Sequence, residues 1–284
     1  MTLIVNILLV LLSFFCHLLI LTAQQGRPYV NQTCFDDKGT YTDESAYHTN
    51  LKTLLSNFTS NTTDDYGFYN YSYGQMPDTV YSSGLCRGDL TPDACRSCLN
   101  NATSLLPQKC PNQKEAFIYY DSCSFQYSNS SMFGIYQNPD FAYAINNPIN
   151  VGNAEQYTDA LDRLMQVLKT KAAAGGPNRK VAAGNASTPF QYVHGLAQCT
   201  PDLTEQNCEA CLKKAISDIP ICCQNKVGGR VIKRNCNVRF EKNRFYNPNV
   251  VDPIQVSASP SPPPSTTTPS QGYPKIIHNC ETRL

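Results

Sequence analysis

Apolar residues recur at helical spacing near the start of each half of the chain. The first set is Tyr47, Leu51, Leu54, Leu55 and Phe58, and the second is Tyr157, Leu161, Leu164, Met165 and Leu168. Both sets have the intervals i, i+4, i+7, i+8 and i+11, which place apolar side chains on one face of an amphipathic helix. We therefore predict one such helix at the start of each half.

A second helix is predicted in each half from residues that typically begin helices. Thr91-Pro92-Asp93 precedes one segment and Thr204-Glu205 precedes the other, since threonine caps helix starts and proline suits the first turn. One face of each segment carries two cysteines and three apolar residues: Cys95, Cys98, Leu99, Ala102 and Leu106, and then Cys208, Cys211, Leu212, Ala215 and Ile219. The Cys-x-x-Cys spacing thus predicts that both sulfurs lie on the buried face.

Strand-forming segments follow each second helix. Ala116 to Tyr127 is rich in Phe, Ile and Tyr, and Arg230 to Glu241 alternates apolar and polar residues, as half-buried strands do. The predicted fold class is α+β, with two helices packed on an antiparallel β-sheet in each half and disulfides cross-linking the halves internally.

Cysteine spacing shows that the two halves are copies of one module. Cys86, Cys95, Cys98, Cys110 and Cys123 are repeated at Cys199, Cys208, Cys211, Cys223 and Cys236, each offset by 113. We place the first domain at residues 27–139 and the second at 140–253. Ser257 to Ser270 is a Pro/Ser/Thr tract without apolar periodicity, so residues 254–284 are predicted to form a disordered tail.

The start of the chain predicts secretion. An apolar run from Leu3 to Leu21 ends in Leu21-Thr22-Ala23, which is typical of a signal peptide over residues 1–23. No Lys or Arg precedes Arg27, and the run is close to membrane-spanning length, so an uncleaved anchor is the alternative. No later apolar run is long enough to span a membrane. We expect a secreted protein of the apoplast.

Cysteine content and glycosylation sequons agree with that expectation. Fourteen cysteines in 284 residues are typical of an oxidising compartment. Seven Asn-x-Ser/Thr sequons follow the predicted leader, and these candidate glycosylation sites are Asn31, Asn57, Asn61, Asn70, Asn101, Asn129 and Asn185.

Motifs for metal, cofactor or catalysis are not recognisable in the sequence. His48, His194 and His278 have neither zinc-ligand spacing nor a nucleophile partner. A Cys-x-x-Cys inside a helix, beside further cysteines, favours structural bridges over a redox motif. We predict no metal, no cofactor, no catalytic residues, no enzyme activity and no nucleic-acid partner.

Charge divides the two halves although the total is near zero. Lys and Arg minus Asp and Glu give 7 minus 12, or −5, over residues 24–140, and 14 minus 8, or +6, over residues 141–250. A basic cluster in the second half comprises Lys226, Arg230, Lys233, Arg234 and Arg239. The opposite charges predict that the halves dock on each other or on a second molecule, and the basic cluster predicts contact with an anionic wall polysaccharide. The alternative is that these charges lie on solvated sheet edges.

The motifs together resemble a known plant family. Cys-x8-Cys-x2-Cys begins with Cys-Arg-Gly-Asp-Leu at 86–90 and Cys-Thr-Pro-Asp-Leu at 199–203, and Gly228-Gly-Arg-Val and Arg239-Phe-Glu follow. This pattern is similar to the ginkbilobin-like domain, also called the salt stress response/antifungal domain. Tandem pairs of that domain occur in cysteine-rich receptor-like kinases, plasmodesmata-located proteins and cysteine-rich repeat secretory proteins.

The resemblance implies a disulfide pattern of first to fifth, second to third and fourth to sixth cysteine. The implied bridges are Cys34 to Cys110, Cys86 to Cys95, Cys98 to Cys123, Cys199 to Cys208, and Cys211 to Cys236. The second domain lacks a counterpart of Cys34, so Cys223 is left without its usual partner. Pairing of Cys223 with Cys222 or of either with Cys280 stays open, and the thirteen cysteines after the leader leave one thiol over.

The resemblance also implies a candidate carbohydrate site in the second domain. Mannose in the ginkgo seed member is held by an Asn, an Arg and a Glu, which correspond here to Asn147, Arg230 and Glu241. Such groups offer directed donors and acceptors to sugar hydroxyls. A structural alternative is that Arg230 and Glu241 form a cross-strand ion pair.

The first domain has different residues at the positions that correspond to the candidate site. They are Phe35, Phe117 and Ser128, so we expect no sugar binding of this kind there.

The resulting hypothesis is a secreted plant recognition protein of the cysteine-rich repeat secretory family, related to stress or defence, with lectin-like, mannose-type binding in the second domain. Its expected partners are cell-wall or microbial carbohydrate, or other extracellular receptor domains. The alternative is the truncated ectodomain of a cysteine-rich receptor-like kinase, which binds partner receptors without direct antimicrobial action.

Overall fold

The computed structural model describes residues 29–58, 66–136, 143–189, 191–257 and 280–282. The predicted leader, Asn61 and most of the predicted tail lie outside these ranges. Within them, the chain forms two α+β domains in tandem, as the sequence predicts.

The first domain has two helices on one five-stranded sheet. Its elements are β1 (Tyr29–Cys34), α1 (Ala46–Asn57), β2 (Phe68–Tyr73), β3 (Val80–Cys86), α2 (Pro92–Lys109), β4 (Ala116–Tyr120) and β5 (Cys123–Ser128). The strand order is β1-β4-β5-β3-β2, and every neighbouring pair is antiparallel.

The second domain repeats this plan and adds two edge strands. Its elements are β6 (Tyr143–Asn146), α3 (Ala154–Ala173), β7 (Lys180–Ser187), β8 (Tyr192–Cys199), α4 (Glu205–Cys223), β9 (Gly228–Ile232), β10 (Cys236–Glu241), β11 (Ile254–Val256) and β12 (Cys280–Thr282). The strand order is β11-β7-β8-β10-β9-β6-β12. The predicted antiparallel sheet is confirmed from β7 to β6, and the two added edge strands, β11 and β12, run parallel to their neighbours.

The prediction of a disordered tail over residues 254–284 needs correction, because this segment contains β11 and β12. Residues 254–256 form β11 alongside β7 rather than disordered chain. Ile254 and Val256 are partly buried and pack against the core of the second domain, and this apolar contact keeps the segment on the sheet.

Local signals in the sequence mark the starts of α2 and α4. Thr91 accepts a hydrogen bond from the amide of Ala94 at the start of α2, and Thr204 accepts one from Asn207 at the start of α4, which confirms both predicted starts. The two strand-forming segments after these helices each fold into a hairpin, β4–β5 and β9–β10. The hairpins β2–β3 and β7–β8 have no counterpart in the sequence predictions.

Each first helix is fastened to its sheet by a tyrosine at the same place in both repeats. Tyr47 donates to the carbonyl of Lys114 at 2.6 Å, and Tyr157 donates to that of Val227 at 2.8 Å. Burial is the main cause that raises the pKa of both hydroxyls well above the usual range. Both tyrosines therefore stay protonated and remain donors.

Six disulfides cross-link the described residues. Five are those that the resemblance implies: Cys34–Cys110, Cys86–Cys95, Cys98–Cys123, Cys199–Cys208 and Cys211–Cys236. The sixth joins the adjacent Cys222 and Cys223, one of the alternatives left open by the spacing.

Within the described ranges, no helix has both the length and the apolar content needed to cross a bilayer.

Candidate ligand-binding site between the two domains

The two sheets pack against each other, with the helices on the outer faces. Alternate residues of β4 divide between the two sides: Ile118 joins the helix-side core of the first domain, whereas Phe117 and Tyr119 contact Tyr143 and Ile232 of the second domain. This shared apolar cluster is buried and holds the domains together.

Polar side chains form hydrogen bonds between the two domains at the edges of that contact. The amide of Gln198 on β8 donates to the carbonyl of Cys86 at 2.8 Å and accepts from the backbone of Gly88 at 3.1 Å. Arg87 donates to the carbonyl of Phe245 at 3.2 Å. Because these groups are largely buried, each bond also avoids the cost of an unpaired polar atom.

The sheet brings the three predicted site residues together. Arg230 pairs in register with Ile145 on one side, and Glu241 pairs with Gly228 on the other. Asn147 follows β6 directly, and its backbone N–H donates to the carbonyl of Gly228 at 2.9 Å. All three line one cavity of about 350 Å³.

Strand register fixes which residue takes the place of the missing cysteine. In the first domain Cys34 pairs with Ala116, and in the second Asn146 pairs with Gly229, 113 positions after Ala116. Asn146 thus stands where Cys34 stands, and its side chain donates to the carbonyl of Cys222 at 2.8 Å. A hydrogen bond to the end of α4 replaces the bridge to the end of α2.

Arg230 is held by the first domain. Its side chain is mostly buried, and Nη1 donates to the carbonyls of Tyr120 at 3.2 Å and Asp121 at 3.3 Å. These contacts orient the guanidinium, which lines the cavity. The sequence predicts Arg230 either as a sugar-binding residue or as the ion-pair partner of Glu241, and its hydrogen bonds to these carbonyls were not predicted.

Two further charged residues line the cavity and were not predicted as site residues. Arg239 forms ion pairs with Glu241 at 3.1 Å and with Asp121 of the first domain at 2.9 Å. The resulting chain of opposite charges fixes the Glu241 carboxylate. In the sequence, the opposite net charges of the two halves were the feature that pointed to a contact such as the one between Arg239 and Asp121.

Gly228 makes room for the Glu241 carboxylate. A Cβ atom at position 228 would lie 2.0 Å from Oε2 of Glu241, which is far inside van der Waals contact. The glycine is therefore required for the carboxylate to lie against the strand.

A second cavity of about 420 Å³ adjoins the first. The two share Asn147, Arg239 and Glu241 as lining residues, so they form one groove along the rim of the domain contact. The second cavity extends the groove to Lys242 and Arg244.

The counterpart of the first cavity in the first domain is occupied by an arginine. Arg234, from the β9–β10 turn, lies 4.7 Å over the ring of Phe35, donates to Gln126 at 2.9 Å and pairs with Glu115 at 2.6 Å. Phe35 corresponds to Asn147, Glu115 to Gly228 and Gln126 to Arg239.

The basic cluster of the second domain is therefore mostly not a free surface. Lys233 pairs with Asp218 at 2.9 Å, with both side chains buried, and Arg230, Arg234 and Arg239 contact the first domain. The hypothesis that the whole cluster meets an external polyanion needs correction, because these charges stabilise the domain and its neighbour.

The candidate glycosylation sites differ in exposure. Asn70 and Asn101 are exposed, while Asn31, Asn57, Asn129 and Asn185 are partly buried. Asn185 lies within β7 between β8 and β11, and its side chain bonds to Tyr246.

Comparison with known proteins shows the same tandem pattern. Residues 33–130 and 145–243 each match the family model described as salt stress response/antifungal. Cysteine-rich repeat secretory protein 38 of Arabidopsis thaliana is 34% identical over 224 residues, which covers 78% of this chain and 87% of the relative. Cysteine-rich receptor-like protein kinase 26 of the same plant is 34% identical over 282 residues, which covers 96% of this chain and 42% of the relative.

Solved structures agree in fold. The tandem DUF26 ectodomain of the Arabidopsis thaliana receptor-like protein PDLP8 matches with a TM-score of 0.65 at 20% identity, covering 77% of this chain and 100% of that one. The ectodomain of PDLP5 matches with a TM-score of 0.62 at 27% identity, covering 76% and 100%. The chain spans less than half the length of the receptor-like kinases that it matches. It belongs to the salt stress response/antifungal family and carries two copies of that family's domain.

Proposed function

We propose that this protein is an extracellular recognition protein that binds carbohydrate in the cavity lined by Asn147, Arg230 and Glu241. The observation that carries the proposal is the convergence of these residues, from β9, from the end of β10 and from the residue after β6, on one cavity of about 350 Å³. Ligand cavities of this size are common in proteins.

The chemistry of the cavity suits sugar hydroxyls. Each hydroxyl both donates and accepts, and the cavity offers an amide at Asn147, guanidinium groups at Arg230 and Arg239, and carboxylates at Asp121 and Glu241. The charged groups are held by the ion pairs of Arg239, so little ordering is needed when a ligand arrives.

Calorimetric titration of the full chain with mannose and short manno-oligosaccharides tests the proposal. We expect binding that Asn147→Ala and Glu241→Gln each weaken about tenfold, because the first removes an amide and the second replaces a charged acceptor by a neutral amide. Asn249→Ala, an exposed asparagine outside the cavity, is the matched control. Unchanged affinity in both cavity variants, with unchanged thermal unfolding, would contradict the assignment of the site.

Recognition of another receptor ectodomain is the second candidate function. It is supported by receptor-like kinases that are 34% to 38% identical over 84% to 96% of this chain. On this proposal the chain acts in the apoplast by binding a partner receptor. Pull-down with ectodomains of such kinases, in the presence and absence of saturating saccharide, separates the two candidates.

A further inference from the structure

The groove has two ends of different electrostatic character. At the first cavity, Arg230 and Arg239 are offset by the carboxylates of Asp121 and Glu241. At the second cavity, Lys242 and Arg244 are exposed cations. Neither has an ion-pair partner in the part of the chain that the structure describes.

The positive charge of Arg244 at the second cavity acts on a neighbouring histidine. His194 lies on β8 near Tyr246, and its pKa is lowered first by burial and then by the charge of Arg244. A partner carboxylate beside Arg244 would weaken that influence.

Neutral hydrogen-bonding groups continue along the second cavity. Asn150, Gln191 and Asn243 line it. Amides suit a further sugar unit, since its hydroxyls can both donate to and accept from them.

We propose that the groove binds an acidic oligosaccharide, with a sugar unit at Asn147 and Glu241 and the carboxylate of a neighbouring uronate unit at Lys242 and Arg244. This inference rests on the proposed function and names the ligand class of the same site. The groove also extends past a single sugar unit, because the two cavities share lining residues.

The carboxylate is favoured over a doubly charged group. A guanidinium binds a carboxylate through two parallel hydrogen bonds. Asp121 in the first cavity and Glu241, which lines both cavities, repel anions, and that repulsion grows with ligand charge. A single negative charge per sugar unit thus fits the arrangement of two free cations beside two carboxylates.

Calorimetry with the full chain tests this inference. The probes are a short oligogalacturonide and the same oligosaccharide with its carboxylates reduced to alcohols, at about 0.15 M salt, where the screening length is about 8 Å. We expect the acidic probe to bind about tenfold more tightly, as a charge-assisted hydrogen bond predicts. The double variant Lys242→Gln, Arg244→Gln is expected to abolish this preference and to keep binding of the reduced probe.

A matched control removes the same charge elsewhere. Lys171 and Lys213 are exposed on α3 and α4, and Lys171→Gln with Lys213→Gln is expected to keep the preference. Equal loss in the control would overturn the inference, because net charge rather than the groove would then attract the probe.

Two further outcomes separate this inference from the proposed function. Equal affinity for both probes, abolished by Asn147→Ala, overturns the acidic specificity and leaves carbohydrate binding in place. Absence of binding to both probes and to manno-oligosaccharides overturns both.

Discussion

The same cavity is open in the second domain and closed in the first. In the second domain it is lined by Asn147, Arg230 and Glu241, and Asp121 from the β4–β5 turn of the first domain reaches its edge. In the first domain the corresponding place holds Arg234 from the β9–β10 turn of the second. Asp121 and Arg234 are themselves counterparts, 113 positions apart.

The two repeats differ in the side chain that the turn of each domain places against the other domain. Asp121 is short, so its carboxylate pairs with Arg239 at the rim and leaves space. Arg234 is long, and it extends over Phe35 to Glu115. The pseudosymmetric domains thus differ in the turn residue that each receives from its neighbour as well as in the residues around it, and the following predictions test that difference.

The largest loss of stability is expected on removal of the Cys34–Cys110 disulfide, which has no counterpart in the second domain. Cys34→Ala with Cys110→Ala opens a link across a sequence separation of 76, and we expect a loss of about 4 kcal/mol in unfolding free energy. Urea unfolding followed by circular dichroism measures it. Removing Cys86 and Cys95, separated by 9, should cost less; an equal or larger cost would contradict the loop-length argument.

Removing the arginine that closes the first cavity should cost slightly less. Arg234→Met leaves the buried carboxylate of Glu115 without its ion pair, and we expect a loss of about 3 kcal/mol in unfolding free energy. Addition of Glu115→Gln should restore most of it, since no buried charge remains. A loss below about 1 kcal/mol in the single variant would show that the arginine does not hold the domains together.

A smaller loss of stability is expected on substitution of Asn146, which stands at the position that corresponds to Cys34. Asn146→Ala removes the hydrogen bond to Cys222 and should lower the free energy of unfolding by about 1 to 2 kcal/mol. Asn243→Ala, an exposed asparagine of the same domain, serves as the control in the same urea titration. A larger loss than that from the Cys34–Cys110 bridge would reverse the ranking of the two links.

The smallest effect concerns pH. His194 has a lowered pKa because of burial and Arg244, so the unfolded chain binds its proton more readily than the folded one. Stability should therefore fall as the pH decreases through the unfolded value of 6.5. His194→Tyr, which copies Tyr81 of the first domain, should flatten the pH dependence of the melting temperature; an unchanged slope would assign it to other groups.

Much of the fold could be predicted from local patterns. Helical spacing around Tyr47 and Tyr157, caps at Thr91 and Thr204, and the repeated cysteine spacing are short-range features, and each has its expected structure. Strand β11 could not be predicted, because Ile254 and Val256 give too short an alternation to be distinguished from the tail.

The candidate site was predictable only in part. The resemblance gave Asn147, Arg230 and Glu241, and strand register brings them to one cavity. The opposite net charges predicted a contact between the halves, but the particular partners of Arg230 and Arg239 could not be predicted, because they lie more than 100 positions away and depend on how the two sheets pack.

The exchange of turns between domains has a practical consequence for dissecting this protein. Excising the second domain as a separate recombinant product removes Asp121 and both carbonyls that orient Arg230. Excising the first removes Arg234 and uncovers Phe35. Each isolated half would thus display a surface that the intact chain does not have, and binding data from truncated products would describe that new surface.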